Sequence, residues 1–371
     1  MQVPFLNLPA QHKKIAPELE LGFKEILKSC NFCSGPAVEE FESKFTQLIQ
    51  TNHTVGVNSG TSALHLALLA SKIGEGDEVI VPAMSFLASL ASIEYSKAKP
   101  VVVDIEADTY CLDPQKVESA ITEKTKAIMA VHLYGQPASM LILRIIADKY
   151  GLILIEDSAQ AHDASLEGVS CGVLGDLAAF SFYPGKNLGA CGEAGAITLK
   201  CNEQAALLRS MRDWGQKGKG NHINPGFNYR MDGIQGAFLS IKLKYIREWT
   251  DSRIRIANQY LKLLEDEENV KLPTKRDGAR HVYHIFAILV PNREFVLSKM
   301  KSLGVDCGIH YPVPIHLHPF YKHLGYQNGD FPVAENVAKK EISLPIYPEL
   351  TNEQQLHVVK NLKDSIRDSY K

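Results

Sequence analysis

Between Thr54 and Ile155, short β-branched runs alternate with helical stretches, and few topologies accept that order. The runs are Thr54–Val57, Glu78–Val81, Val101–Ile105, Ala127–Val131 and Leu152–Ile155; helical stretches fall near Thr61–Lys72, Ser85–Tyr95, Pro114–Thr122 and Met140–Tyr150. Runs this apolar have no solvent-facing side, so they predict a mainly parallel sheet covered by helices on both faces. Leu177–Phe182 and Gly195–Leu199 extend the strand series, while Val38, Phe41, Phe45 and Leu48 mark an earlier helix at three-and-four spacing. Past Arg230 the pattern changes. A long helix is predicted from Asp232 towards Trp249 and beyond, with Ile234, Ala237, Phe238, Ile241 and Tyr245 on one face. A strand at His284–Val290 and helices at Phe295–Leu303 and Glu353–Lys363 follow. The expected class is α/β: a large domain over residues 1–244, then a smaller α+β domain over 245–371. The length of 371 residues suits two domains at roughly 150 residues each.

Forty basic against 42 acidic residues leave a formal charge of −2, so no general field gathers polyanions and nucleic acid is not an expected partner. No apolar run approaches the roughly 18 residues of a membrane span; Arg144 interrupts Leu141–Ile146 and Glu94 ends Phe86–Ile93. The start, Met1-Gln2-Val3-Pro4-Phe5-Leu6-Asn7, lacks a basic region before a hydrophobic stretch. Seven scattered cysteines do not make a disulfide framework. The expectation is a reduced, cytoplasmic protein with no membrane partner.

Open α/β sheets bind ligands beyond the carboxyl ends of their strands, which directs attention to the residues after each run. After Val57 comes Asn58-Ser59-Gly60-Thr61-Ser62-Ala63-Leu64, a small-residue turn that opens a helix and can seat a phosphate on free N–H groups. The plainer reading is a helix capped by Ser59 or Thr61. After Ile155 comes Glu156-Asp157-Ser158-Ala159-Gln160-Ala161-His162. An acid here suits a magnesium nucleotide, but that reading needs a Gly-x-x-x-x-Gly-Lys-Ser/Thr loop. Around Gly185-Lys186, Phe180 holds the first-glycine position and Asn187 the hydroxyl position, so the phosphate-loop reading fails.

The other reading joins Asp157 to Lys186, which lies just past an apolar strand in Ala179-Phe180-Ser181-Phe182-Tyr183-Pro184-Gly185-Lys186. Pyridoxal phosphate chemistry needs a Schiff-base lysine, an acid for the pyridine nitrogen, a phosphate cup and a stacking ring. Lys186, Asp157, Gly60–Ser62 with Ser181, and Phe86 supply these in turn. A carboxylate keeps the ring nitrogen protonated and the ring able to accept electrons. The lysine supplies the amine and then the base.

With those residues in view the chain resembles the DegT/StrS-type sugar aminotransferases, pyridoxal phosphate enzymes of the aspartate-aminotransferase fold (fold type I). The resemblance runs over Val3-Pro4-Phe5-Leu6, Asn58 to Leu64, Asp77-Glu78-Val79-Ile80-Val81-Pro82, Glu156 to Gln160, Phe180-Ser181-Phe182, Gly192-Glu193-Ala194-Gly195-Ala196, Asn228-Tyr229-Arg230-Met231 and Ser343-Leu344-Pro345. It implies that Lys186 binds the cofactor covalently, Asp157 pairs with the ring nitrogen, Gln160 bonds the ring hydroxyl and Phe86 lies against the ring. Thr61, Ser62 and Ser181 would hold the phosphate. Asn228 would reach the phosphate of a partner subunit's cofactor, making a homodimer with shared sites. The implied reaction aminates a nucleotide-linked keto-sugar, with glutamate as donor. Tyr183, Lys219, His310 and Tyr311 match positions that approach the nucleotide-sugar. Gln160-Ala161-His162 resembles members acting at C-3 of a dTDP-linked deoxysugar more than those acting at C-4, and places His162 near the substrate. A 4-aminotransferase and a non-catalytic regulatory protein are the alternatives; related dehydratases carry histidine where this chain has Lys186.

Two departures stand out: Ala194 and Asp163 occupy positions where the family usually has glycine. Three other patterns are set aside. Cys30-Asn31-Phe32-Cys33 follows a helix rather than a strand and has no second pair, and His310, His316 and His318 are interleaved with Pro312, Pro314 and Pro319. Neither predicts a metal. Gly189-x-x-Gly192-x-x-Gly195 precedes a strand instead of opening a helix, so it reads as a turn.

Overall fold

The computed structural model describes residues 1–370. Helix α1 (Leu8–Ser29) starts under the Asn7 side chain, and α2 (Pro36–Ile49) buries Val38, Phe41 and Phe45 on its apolar stripe. The chain then lays down β1 (His53–Val57), β2 (Glu78–Pro82), β3 (Lys99–Val103), β4 (Thr125–Val131) and β5 (Ile153–Asp157). A short hairpin of β6 (Ser165–Leu166) and β7 (Val169–Ser170) intervenes before β8 (Leu177–Ser181) and β9 (Gly195–Leu199). Seven of these strands form one sheet in the order β1-β9-β8-β5-β4-β2-β3.

Strands β3, β2, β4, β5 and β8 run parallel, as their doubly buried faces require. Strand β9 is reversed and pairs antiparallel with both β8 and β1, so β1 again points the common way. The carboxyl ends of β1, β2, β4, β5 and β8 therefore meet along one edge. Helices α3 (Gly60–Ala70), α4 (Leu87–Tyr95), a single turn α5 (Pro114–Val117), α6 (Met140–Tyr150) and α7 (Asn202–Met211) form the connections. The predicted third strand sits two residues early, because it includes Lys99 and Pro100. Proline is tolerated there since β3 is the last strand of the sheet and has a free edge.

The helix expected from Asp232 is divided. Helix α8 (Gly233–Lys242) passes through a 3₁₀ turn at Leu243–Tyr245 into α9 (Ile246–Leu264). Beyond it, β10 (Ala279–Arg280) joins the β6–β7 hairpin. Strand β11 (Phe286–Leu289) pairs antiparallel with β12 (Glu341–Leu344), flanked by α10 (Arg293–Ser302), α11 (Pro332–Lys340) and α12 (Asn352–Asp368). This part has its own apolar cluster, including Ile256, Tyr260, Phe286, Ile342 and Val358. Val3 joins that cluster and bridges to Val305, so the first residues of the chain lie against the last third.

A third cluster ties α2 to the sheet. The rings of Phe41 and Phe45 meet Phe180 and Phe182 edge to face at 5.0–5.3 Å. Phe45 has 0% exposure, so Phe45→Ala is expected to cost about 3–5 kcal/mol, readable as a lowered denaturant midpoint at constant slope. No helix among the described residues is long and apolar enough to cross a membrane.

Candidate active site

A cleft of about 690 Å³ lies at the carboxyl edge of the sheet and is closed from the other side by the C-terminal part of the chain. Gly60, Thr61, Phe86, Asp157, Gln160, Ser181, Tyr183, Lys186, His310 and Tyr311, separate in sequence, all line it.

The phosphate end is built by close backbone approach. Ser59 caps α3 by accepting the Ser62 N–H at 3.1 Å, and the first-turn N–H groups of Gly60 and Thr61 precede any intrahelical partner. A Cβ on Gly60 would lie 2.7 Å from the Ser181 Cβ, and one on Gly195 2.3 Å from the Ser59 backbone. Glycine at both places lets β8, β9 and the turn converge, with the Ser181 hydroxyl beside the helix start. Ser62 departs from the expectation. Its hydroxyl donates to Asn58 at 2.6 Å and does not line the cleft.

Lys186 sits in a loop folded back on β8. The Phe182 N–H donates to the Ala194 carbonyl at 2.8 Å, the Ala190 N–H to the Phe182 carbonyl at 2.7 Å and the Lys186 N–H to the Tyr183 carbonyl at 2.8 Å. Gly189 makes the fold-back possible, since a Cβ there would lie 2.3 Å from the Pro184 oxygen. Desolvation, opposed by the Asp157 carboxylate, brings the Lys186 pKa down to about 8. The neutral, nucleophilic amine therefore increases as pH rises through that value. The rate at which apoprotein takes up pyridoxal phosphate should rise over the same interval, followed by growth of the visible absorption band.

Asp157, the last residue of β5, is buried and fixed by two donors: the Ser89 hydroxyl at 2.7 Å on Oδ2 and the Ala159 N–H at 3.2 Å on Oδ1. Ser89 commits its proton to the carboxylate, so in the 2.7 Å contact between Ser85 and Ser89 the donor is Ser85. Gln160 Oε1 accepts the Tyr134 N–H at 2.5 Å, and Nε2 donates to the Tyr311 hydroxyl at 3.0 Å, leaving one amide hydrogen for a ligand. Phe86 is 57% exposed and tilts against Tyr311 at 5.6 Å, an open aromatic shelf in the same cleft as the acid.

Besides Ser62, three expected site residues do not line this cleft. His162 does not reach the cleft lining; its fully buried ring packs against Phe180 and Phe182 at 5.5 and 5.4 Å. Desolvation and then the Lys186 charge push its pKa down to about 3, so it is a neutral core group. Asn228 accepts from Arg230 at 2.9 Å, and Lys219 stands exposed in the Gly215–Phe227 loop; neither lines this chain's own cleft. The two departures from glycine fit locally. Asp163 has φ +65°, the left-handed region glycine favours, and is steadied by Arg280 at 3.0 Å; Ala194 is buried without positive φ.

Several lining residues were not singled out from sequence: Phe5, Ser85, Arg253 and His284 among them. Arg253 Nη1 donates to the carbonyls of Tyr283, His284 and Ile346 at 3.3, 3.3 and 2.9 Å, tying α9 to the cleft wall. A signal existed: Arg253 interrupts the apolar stripe of Trp249, Ile256 and Tyr260 on α9. His132, Glu156 and Cys171 form a buried group with metal-like composition behind Asp157. Glu156 is already saturated by the N–H groups of Gly172 and Gly175 at 2.8 and 2.7 Å and by His132 Nε2 at 2.9 Å. His132 Nδ1 accepts the Ala138 N–H at 3.0 Å, so this group is an internal brace for the end of β5.

A family model described as the DegT/DnrJ/EryC1/StrS aminotransferase family matches residues 13–363. The "dTDP-3-amino-3,4,6-trideoxy-alpha-D-glucose transaminase" of Streptomyces venezuelae is 41% identical over 367 residues, 99% of this chain and 96% of that protein. A Geobacillus stearothermophilus protein named "Pleiotropic regulatory protein" is 41% identical over 369 residues, 99% of each. Among solved structures, S. venezuelae DesV in complex with a ketimine intermediate superposes with a TM-score of 0.96 at 41% identity, covering 98% of both chains.

Proposed function

This chain belongs to the DegT/DnrJ/EryC1/StrS aminotransferase family and is a pyridoxal-phosphate-dependent sugar aminotransferase; from that premise we propose that it aminates C-3 of a dTDP-linked 3-keto-deoxysugar, with L-glutamate as donor. The observation that carries the reading is that Lys186 and Asp157 open into one cleft, from different strand ends, beside a helix start built for a phosphate. The S. venezuelae relative supports the choice of sugar and carbon by its name.

The residues present fit the cofactor. Pyridoxal phosphate, when bound, supplies the carbon that carries the amino group and a ring that accepts electrons. Gly60 and Thr61 N–H groups and the Ser181 hydroxyl would hold its phosphate, Phe86 one ring face and the free Gln160 amide hydrogen the ring hydroxyl. Asp157 would hold a proton on the ring nitrogen. Lys186 Nζ would take the proton from the donor's α-carbon and pass it to the cofactor carbon that bears the amino group, and in the second half-reaction would move a proton the opposite way, from that carbon to the sugar carbon. Tyr183, His310 and Tyr311 would face the sugar.

Asn228 and Lys219 lie outside their own cleft, which supports a homodimer in which they serve the partner's site. The 3₁₀ turn between α8 and α9 and the separate apolar cluster beyond it support a division near residue 245, with a cofactor-binding part before it and a smaller C-terminal part after it. A cytoplasmic location is supported by seven free cysteines.

The test incubates the protein and L-glutamate with dTDP-linked 3-keto- and 4-keto-6-deoxyhexoses, with products identified by mass spectrometry and NMR. A 3-amino sugar with stoichiometric 2-oxoglutarate is expected; a 4-amino product would sink the C-3 assignment. The relative named as a regulatory protein gives a second reading, a cofactor-binding protein without turnover. Failure of glutamate to bleach the visible band would favour it.

A further inference from the structure

Beneath His310 lies a buried chain of polar groups that the proposed reaction does not use. The His310 backbone N–H donates to Glu341 Oε2 at 2.7 Å, and the Ser343 hydroxyl donates to Glu341 Oε1 at 2.5 Å. The remaining contact joins Ser343 Oγ to His310 Nδ1 at 2.8 Å. Glu341 and Ser343 are two apart on β12, so both face the same way, and both are 0% exposed. Two backbone bonds between Ser343 and Gly308, at 3.0 and 2.9 Å, lock β12 to the segment that carries His310. The imidazole is stacked on Phe5 at 5.5 Å, the His310 backbone carbonyl accepts from the Tyr134 hydroxyl, and the residue lines the cleft, so it is held at its backbone, at Nδ1 and on one ring face.

With Glu341 ionised, these contacts determine which nitrogen carries the proton. An ionised carboxylate only accepts, so Ser343 must spend its one hydrogen on Glu341. Its oxygen then faces Nδ1 with lone pairs alone, and the bond exists only if Nδ1 bears the hydrogen. The ring is neutral, because desolvation and then the Lys186 charge push its pKa down to about 4. A neutral ring protonated at Nδ1 has a bare Nε2. We propose that Glu341 and Ser343 are positioning residues that fix this tautomer, so that His310 offers Nε2 to the cleft as a hydrogen-bond acceptor for a hydroxyl of the keto-sugar. The proposal rests on the keto-sugar reading for the identity of the ligand and, for the tautomer, on the hydrogen-bond geometry of an ionised Glu341 and a neutral ring.

Protonation of Glu341 reverses the chain. Desolvation raises its pKa to about 7, against the Ser343 hydroxyl, the His310 N–H and the Arg293 charge. Tyr110, Tyr134, Tyr311 and Cys307 also face it, and desolvation raises each of them, so they stay neutral and Arg293 is the fixed charge nearby. A protonated Glu341 donates to Ser343, Ser343 turns its hydrogen to Nδ1, and the ring proton moves to Nε2. A Glu341→Gln variant makes the same reversal permanent, since its amide nitrogen donates to Ser343.

The test uses holoenzyme with ¹⁵N-labelled histidine, at a pH well above 7. The His310 signals are assigned by difference from His310→Gln in a long-range ¹H–¹⁵N spectrum. A proton on Nδ1 is expected in the parent protein and on Nε2 in Glu341→Gln. In stopped-flow half-reactions, Glu341→Gln and Ser343→Ala should raise the KM for a dTDP-linked 3-keto-6-deoxyhexose about tenfold, the worth of one good hydrogen bond. The glutamate half-reaction should stay within about twofold, and Ser343→Thr, which keeps the hydroxyl, should restore the sugar KM. A parent ring protonated at Nε2 overturns the proposal, as does equal loss in both half-reactions. Should Glu341→Gln fail to fold, the Ser343→Ala and Ser343→Thr pair decides. A parent protein that aminates no nucleotide-sugar overturns the functional reading instead, while the spectrum still decides the tautomer.

Discussion

Lys186→Ala is expected to lower kcat by more than about 10³-fold while leaving cofactor binding measurable. Proton transfer by a positioned base contributes about 10²–10⁴-fold alone, and the same amine provides the covalent attachment. The groups expected to hold the phosphate and ring nitrogen come from α3, β5 and β8, not from the Lys186 loop. Pyridoxal phosphate should therefore still bind, but with the absorption of the unattached form and no lysine adduct after borohydride reduction. Lys186→Arg sharpens the result: it keeps a positive charge but its guanidinium neither attacks a carbonyl nor gives up a proton near neutral pH. Both variants should be inactive if the amine acts chemically. An active arginine variant would mean that charge alone suffices, and full turnover by the alanine variant would remove Lys186 from the reaction.

What the sequence revealed follows from how locally each feature is encoded. Asp157, Gln160, Ser181 and Lys186 could be picked out because each lies just past an apolar run, and a parallel sheet brings such positions to one edge. The direction of β9 could not be read: Gly195–Leu199 is as apolar as its parallel neighbours, and a buried strand has the same composition whichever way it runs. His162 misled because the resemblance carried by Gln160-Ala161-His162 does not say which way each side chain points. The chain turns after β5, and the two side chains part, one into the cleft and one into the Phe180–Phe182 core. The support beneath His310 was least visible. Ser343 was legible as part of a motif, but its contact with a residue 33 positions earlier and with Glu341 depends on pairing between β12 and an irregular segment. Ser89 illustrates the same limit, bonding across 68 positions to Asp157 from the first turn of α4.

Asp157→Asn is the second large effect, expected to reduce kcat by about 10²–10³-fold with little change in folding stability, as for loss of one preorganised charge at a site of charge development. The amide has nearly the shape of the carboxylate, but its surroundings are built for an anion. The Ala159 N–H and the Ser89 hydroxyl both donate to Asp157, and a backbone N–H cannot reverse its role. The substituted amide would thus turn its oxygen to Ala159 and its NH₂ towards Ser89, whose hydroxyl can rotate to accept. The side chain would keep its place but offer a donor where the ring nitrogen's proton needs an acceptor. That proton would be lost, and the electron demand that makes the substrate carbon acidic would fall with it. Both half-reactions should slow together, because both remove a proton from carbon, and this separates Asp157 from residues that touch only the sugar. A blue-shifted visible band with an unchanged melting temperature is the expected signature. A variant retaining more than about a tenth of parental kcat would show that ring protonation does not depend on this carboxylate.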